Sequence, residues 1–179
     1  YAVQTPSDDF FVTTVDDSWG VGQYASLALD PTSGHPRISY YDETHEHLKF
    51  AQMNVSGFTH YWTITTIDDD DADPGGNKTA IALDNTSYHA VHIAYTKLDG
   101  HVWHAWQTCS GTIFIICTWH TEEVDDVVDA GGGNISMALD SSNHPHVAYY
   151  NATSNKLMYA VFDGSDWNYG EVTDPAGSQ

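Results

Sequence analysis

Ser26-Leu27-Ala28-Leu29-Asp30 returns as Ala80-Ile81-Ala82-Leu83-Asp84 and again as Ser136-Met137-Ala138-Leu139-Asp140, with the closing aspartates 54 and 56 residues apart. A fixed period of this size decides an architecture, because each copy is a supersecondary unit that buries its apolar face against the next copy. A second marker follows each time: Arg37-Ile38-Ser39-Tyr40-Tyr41, His92-Ile93-Ala94-Tyr95-Thr96 and His146-Val147-Ala148-Tyr149-Tyr150. The third is Leu48-Lys49-Phe50-Ala51, Val102-Trp103-His104-Ala105 and Leu157-Met158-Tyr159-Ala160. A fourth, an aromatic residue five positions before a β-branched one, occurs four times: Phe10 to Val15, Trp62 to Ile67, Trp119 to Val124 and Trp167 to Val172.

Each repeat therefore holds four short segments rich in Val, Ile, Thr, Tyr, Phe and Trp, separated by Gly, Pro, Asn, Asp and Ser, which predicts an all-β chain. Alternation agrees, since Ile38 and Tyr40 share one strand face while Arg37, Ser39 and Tyr41 share the other. Asp30, Asp84 and Asp140 close their strands ahead of Pro31-Thr32-Ser33-Gly34, Asn85-Thr86-Ser87 and Ser141-Ser142-Asn143, where Asx hydrogen bonds favour tight reversals. The chain divides into a leading strand over 1–17 and repeats over about 18–68, 69–125 and 126–179.

The succession Ala-Leu-Asp, turn, His-Pro-x-Ile/Val-x-Tyr-Tyr, turn, Leu-Lys/Met-Phe/Tyr-Ala resembles the blade repeat of large secreted bacterial β-propeller proteins, over almost the whole chain. The resemblance implies three four-stranded antiparallel blades, and it implies a family often without biochemical activity. The second copy departs most, with His89-Ala90-Val91 in place of the His-Pro turn and Thr96 in place of the second tyrosine, so an irregular second blade is expected. Three blades and a leading strand are too few to close a ring, because propellers typically need at least four. An incomplete or open propeller is expected, whose uncovered edges and faces meet other copies of the chain or further blades of a parent chain.

Composition bounds the partners. With 25 acidic against 5 basic residues the chain carries a net charge of -20, which repels nucleic acid and anionic membrane. The run from Ile113 to Cys117 is far too short to span a bilayer, so membrane insertion is not expected. The first residue is Tyr1, compatible with a removed leader or with a longer parent chain. Cys109 and Cys117 flank a short turn and face each other across an expected hairpin, a geometry suited to a disulfide and hence to an oxidising, extracellular setting.

Five sequons, at Asn54, Asn77, Asn85, Asn134 and Asn151, lie in expected turns or strand starts and are candidate glycosylation sites. Acidic clusters follow the fourth marker; the densest, Asp68, Asp69, Asp70, Asp71 and Asp73, offers hard oxygen ligands for calcium, although a solvated acidic turn is the simpler reading. Histidine pairs such as His45/His47 and His144/His146 share strand faces, yet His35 and His144 recur before Pro as turn residues. Trp19, Trp103 and Trp106 fall outside the threefold pattern and are candidates for stacking on sugar rings, which would make the protein a lectin. No nucleophile elbow, phosphate loop or zinc helix is present, so no catalytic residue is assigned and a glycan-processing hydrolase is the least favoured class. The leading expectation is a secreted, non-enzymatic structural or adhesive repeat protein that self-associates through open sheet edges.

Overall fold

The computed structural model describes residues 1–4, 10–69, 75–112, 114–126 and 133–173. Among these, every regular element is a β-strand. Two short strands, β1 (Ala2–Gln4) and β2 (Phe10–Val12), pair only with each other. Sheet one holds β3 (Val21–Leu29), β4 (Pro36–Asp42), β5 (His47–Ser56) and β6 (Thr59–Asp68). Sheet two holds β7 (Gly75–Leu83), β8 (Val91–Lys97), β9 (Val102–Ser110) and β10 (Ile116–Asp125). Sheet three holds β11 (Ile135–Leu139), β12 (Pro145–Asn151), β13 (Lys156–Phe162) and β14 (Trp167–Glu171). All three are open antiparallel meanders in chain order.

Their registers coincide. Ile38 pairs with Ala51, Ile93 with Ala105 and Val147 with Ala160, so the second and third sequence markers meet at the same point in every sheet. The strand-ending aspartates close the first turn by their side chains: Asp30 Oδ1 accepts from Thr32 N at 3.0 Å and Ser33 N at 2.9 Å. Asp84 Oδ1 accepts from Thr86 N and Ala90 N, and Asp140 Oδ1 from Ser142 N and His144 N. The departure in the second copy leaves this turn intact, because His89 takes the left-handed conformation (φ 48) that Gly34 (φ 71) and Asn143 (φ 66) adopt in the other two.

The sheets stack face to face, with β3 against β7 and β7 against β11. Period-two alternation then assigns each side chain to one neighbour. Leu48 and Phe50 point from sheet one toward sheet two, where they join Ile81, Val91, Ile93 and Tyr95 in a buried cluster. A second cluster, between sheets two and three, contains Val102, Val124, Val147, Tyr149 and Met158. The first of these interfaces is tight enough to demand a glycine: a Cβ on Gly76 would lie 2.9 Å from Leu48 Cα. Turns are cross-linked as well, by Thr32 Oγ1 to His89 Nε2 at 2.9 Å and by Asn143 Oδ1, which accepts from Asn85 N at 2.9 Å.

The leading segment differs from the expectation of a single strand. It contributes a two-stranded ribbon in which β2 pairs with β1, while sheet three is formed by four strands of its own.

Candidate functional site

The aspartate that directly follows Val15, Ile67 and Val124 of the fourth marker is an anchor between sheets. Tyr40 Oη donates to Asp16 Oδ2 at 2.7 Å, Tyr95 Oη to Asp68 Oδ2 at 2.7 Å, and Tyr149 Oη to Asp125 Oδ2 at 2.6 Å. Asp68 and Asp125 end the last strands of sheets one and two and bind tyrosines of the sheet that follows. These carboxylates are buried, which corrects the reading of the clusters as solvated acidic turns for their first members. Burial, reinforced by the bonded carboxylate, pushes the Tyr40 and Tyr149 hydroxyls well above their ordinary range and keeps them donors. Burial would raise Asp16, but hydrogen bonds from Tyr40 and Ser18 outweigh it and hold the carboxyl below its usual value. The sequence shows the aspartate and the tyrosine as separate repeated features, and the structure pairs them.

A second inter-sheet contact repeats with the first. Phe50 and His104 precede the alanine of the third marker, Tyr1 precedes Ala2, and each meets the tryptophan of the next sheet edge-on: Trp119 at 5.3 Å, Trp167 at 5.5 Å and Trp62 at 5.8 Å. The equivalent residue of sheet three is Tyr159, beyond which no further sheet is described. Leu157 and Tyr159 are accordingly 53% and 40% exposed, while their counterparts Leu48, Val102, Phe50 and His104 are all at 3% or below. The outward face of sheet three thus carries the chemistry of a buried interface in contact with water.

Sheet two differs from the others by a row of rings directed at sheet three. His92 Nδ1 lies 3.0 Å from His104 Nε2, His104 Nδ1 lies 3.1 Å from Glu122 Oε1, and Trp167 Nε1 donates to the same carboxylate oxygen at 2.9 Å. This chain of bonds requires His92 to donate through Nδ1–H and a neutral His104 to accept at Nε2 while donating from Nδ1. The His104 ring also stacks on Trp106 at 5.0 Å, and Trp106 on His120 at 5.1 Å. Burial, with the neighbouring His104, pulls His92 down to about 4, and burial likewise lowers His104. The pair is neutral at pH 7.

The sequence-selected residues do not converge. Trp19 is exposed in the turn before β3, whereas Trp103 and Trp106 lie on opposite faces of β9, the first packed toward sheet one beneath Lys97 and the second within the histidine row. Of the calcium candidates, Asp68 is held by Tyr95 and by Lys97 at 3.3 Å, and Asp69 is exposed; Asp70, Asp71 and Asp73 lie outside the described residues. Among the described residues no group of three or more His, Cys, Asp or Glu side chains is placed to hold a metal ion.

Cys109 and Cys117 are register partners on β9 and β10 and form a disulfide, with Cα atoms 4.1 Å apart. Asn54, Asn77, Asn85 and Asn134 are exposed or half-buried, although Asn54 Nδ2 donates to Thr63 Oγ1 and Asn85 Nδ2 to the Ser141 carbonyl. Asn151 is buried, and its carboxamide oxygen accepts from Ser154 N and closes the turn. A polar cleft of about 510 Å³ opens between sheets one and two; its walls include Gln52, Asn54, Thr63, Gln107, Tyr88 and Trp119.

No protein-family model matches the chain, and no curated protein matches it.

Proposed function

We propose that the chain is a non-enzymatic structural or adhesive repeat protein acting outside the cell, a stack of β-propeller-type blades that joins further copies through its uncovered sheet faces. The observation that carries this reading is the exposure of Leu157 and Tyr159, which occupy positions that are sealed wherever another sheet follows. A surface patch of this kind faces water at a cost, and a repeat of the same shape is the form that covers it. Because the partner surface would be a different patch of a second copy, the contact is head-to-tail and builds rings or filaments.

Sedimentation velocity over a concentration series tests it. Association is expected to strengthen with salt, since a net charge of -20 opposes the approach of two copies. Leu157→Asp combined with Tyr159→Asp is expected to abolish association with the fold intact, and a wild-type chain that stays monomeric at every concentration and salt level refutes the proposal.

The cleft between sheets one and two favours a second reading, a carbohydrate-binding protein. Amide and hydroxyl groups beside a tryptophan ring are the recognition chemistry of a neutral sugar. Glycan-array binding that drops with Gln107→Ala, while Trp19→Ala leaves it unchanged, would place a lectin site in the cleft.

A further inference from the structure

The ribbon β1–β2 reproduces the outer half of a repeat. In sheets one and two the third-marker alanine pairs with the residue four positions before the anchoring aspartate: Ala51 with Ile64 ahead of Asp68, and Ala105 with Thr121 ahead of Asp125. In the ribbon Ala2 pairs with Val12, four positions before Asp16. Tyr1 then makes the edge-on contact to Trp62, and Asp16 the bond to Tyr40, that third and fourth strands make to the following sheet elsewhere. β1 is the counterpart of β5 and β9, and β2 of β6 and β10.

Only half of sheet one is covered as a result. Tyr40 and Ala51 are buried, but Leu27 and Leu29 on β3 are 54% and 55% exposed, whereas Ile81, the counterpart of Leu27 in sheet two, is 8% exposed. Ile38 is half-buried where Ile93 and Val147 are sealed. A cavity of about 240 Å³ opens beside the ribbon, between Tyr1, Val15, Ala25, Ile38 and Tyr40. The uncovered residues are those that the first and second strands of a preceding sheet would cover, and β1 has no partner on its second edge among the described residues.

We infer that β1–β2 and the face of β3 and β4 form a receptor site for a two-stranded β-hairpin of the chain's own repeat type, an Ala-Leu-Asp strand followed by an Ile/Val-x-Tyr strand. The hairpin adds its second strand to the free edge of β1 and lays its first strand over Leu27 and Leu29. Register fixes the alignment. The residue opposite the third-marker alanine is Ile38, Ile93 or Val147 in the three sheets, so that position of the incoming hairpin stands opposite Ala2. This inference rests on reading the chain as a stack of repeats extended at its ends, but it concerns the end opposite to Leu157 and Tyr159.

The test is titration of the full chain with a synthetic peptide of residues 134–151, which contains both strands of such a hairpin. The expected result is saturable binding, with nuclear Overhauser contacts between Ala2 and the peptide valine that corresponds to Val147. Affinity should fall about tenfold or more with Leu27→Asp plus Leu29→Asp, exposed substitutions that leave the fold intact. No saturable binding at peptide concentrations up to about 1 mM overturns the inference. So does binding that is insensitive to the double substitution, or that maps to Leu157 and Tyr159. A chain that never self-associates but binds the peptide at Ala2 refutes only the proposed function, and one that self-associates but ignores the peptide refutes only this site.

Discussion

Phe50→Ala is expected to lower folding stability by about 3–5 kcal/mol, while Tyr159→Ala, the same repeat position two sheets later, is expected to change it by no more than about 0.5 kcal/mol. The difference follows from coverage alone. Phe50 is buried between sheets one and two and meets the Trp119 ring at 5.3 Å, so truncation removes transfer free energy, leaves a cavity and breaks an aromatic pair. Tyr159 stands at the equivalent site of the last sheet, where 40% of its surface is still in contact with solvent and no facing sheet is described. Its hydroxyl does reach His146 Nδ1 at 2.5 Å, a contact at the surface that contributes little. Urea unfolding of dilute, monomeric protein measures both variants. Equal costs for the two substitutions would mean that something already covers sheet three, and the case for an open assembly face would collapse.

How far the sequence discloses these faces depends on which relation is sought. Strand number and order, and the Asx turns at Asp30, Asp84 and Asp140, follow from patterns within one repeat, where neighbours in space are neighbours in the chain. The contacts that join the sheets run between repeats. The bond from Tyr149 to Asp125 links a second-strand residue to the preceding sheet, and no local pattern announces it. Tyr1 illustrates the same limit: as a lone residue ahead of Ala2 it carries no signal, and only its ring against Trp62 places it beside Phe50 and His104 as one repeated position. Trp19, Trp103 and Trp106 stand out in the sequence because they fall outside the repeat pattern. Irregularity did not bring them together, because Trp103 and Trp106, three positions apart on a strand, must point to opposite faces.

The histidine row makes the seam between sheets two and three the acid-sensitive part of the molecule. His92 has its pKa pulled down to about 4 in the folded chain against an ordinary 6.5. Between those values the unfolded chain binds a proton that the folded chain refuses, so the His92 contribution to stability is complete above pH 6.5 and is lost as the pH falls toward 4. The loss from this one group is on the order of 3 kcal/mol, and His104, lowered in the same direction, adds to it.

The groups facing the pair bear on the sign. Asp84 and Glu122 favour protonation of His92, but burial and the adjacent His104 outweigh them. The carboxylates act in a lower window. Asp42, whose burial is outweighed by hydrogen bonds from Lys49 and His45, is held at about 2 and loses its contribution only below its ordinary value of 3.8. Stability measured by urea unfolding should therefore decline between pH 6.5 and 5, before the carboxylates titrate. His92→Gln, which keeps a side-chain donor for His104 Nε2 and removes one titrating ring, should make that decline shallower and leave the part that His104 contributes. A slope unchanged in His92→Gln, or a wild-type stability that is level from pH 7 to 5, would show that His92 is not what acid attacks. If the slope falls as expected, the seam between sheets two and three, where His92 is bonded to His104, is the part of the fold that acid weakens before the carboxylates titrate.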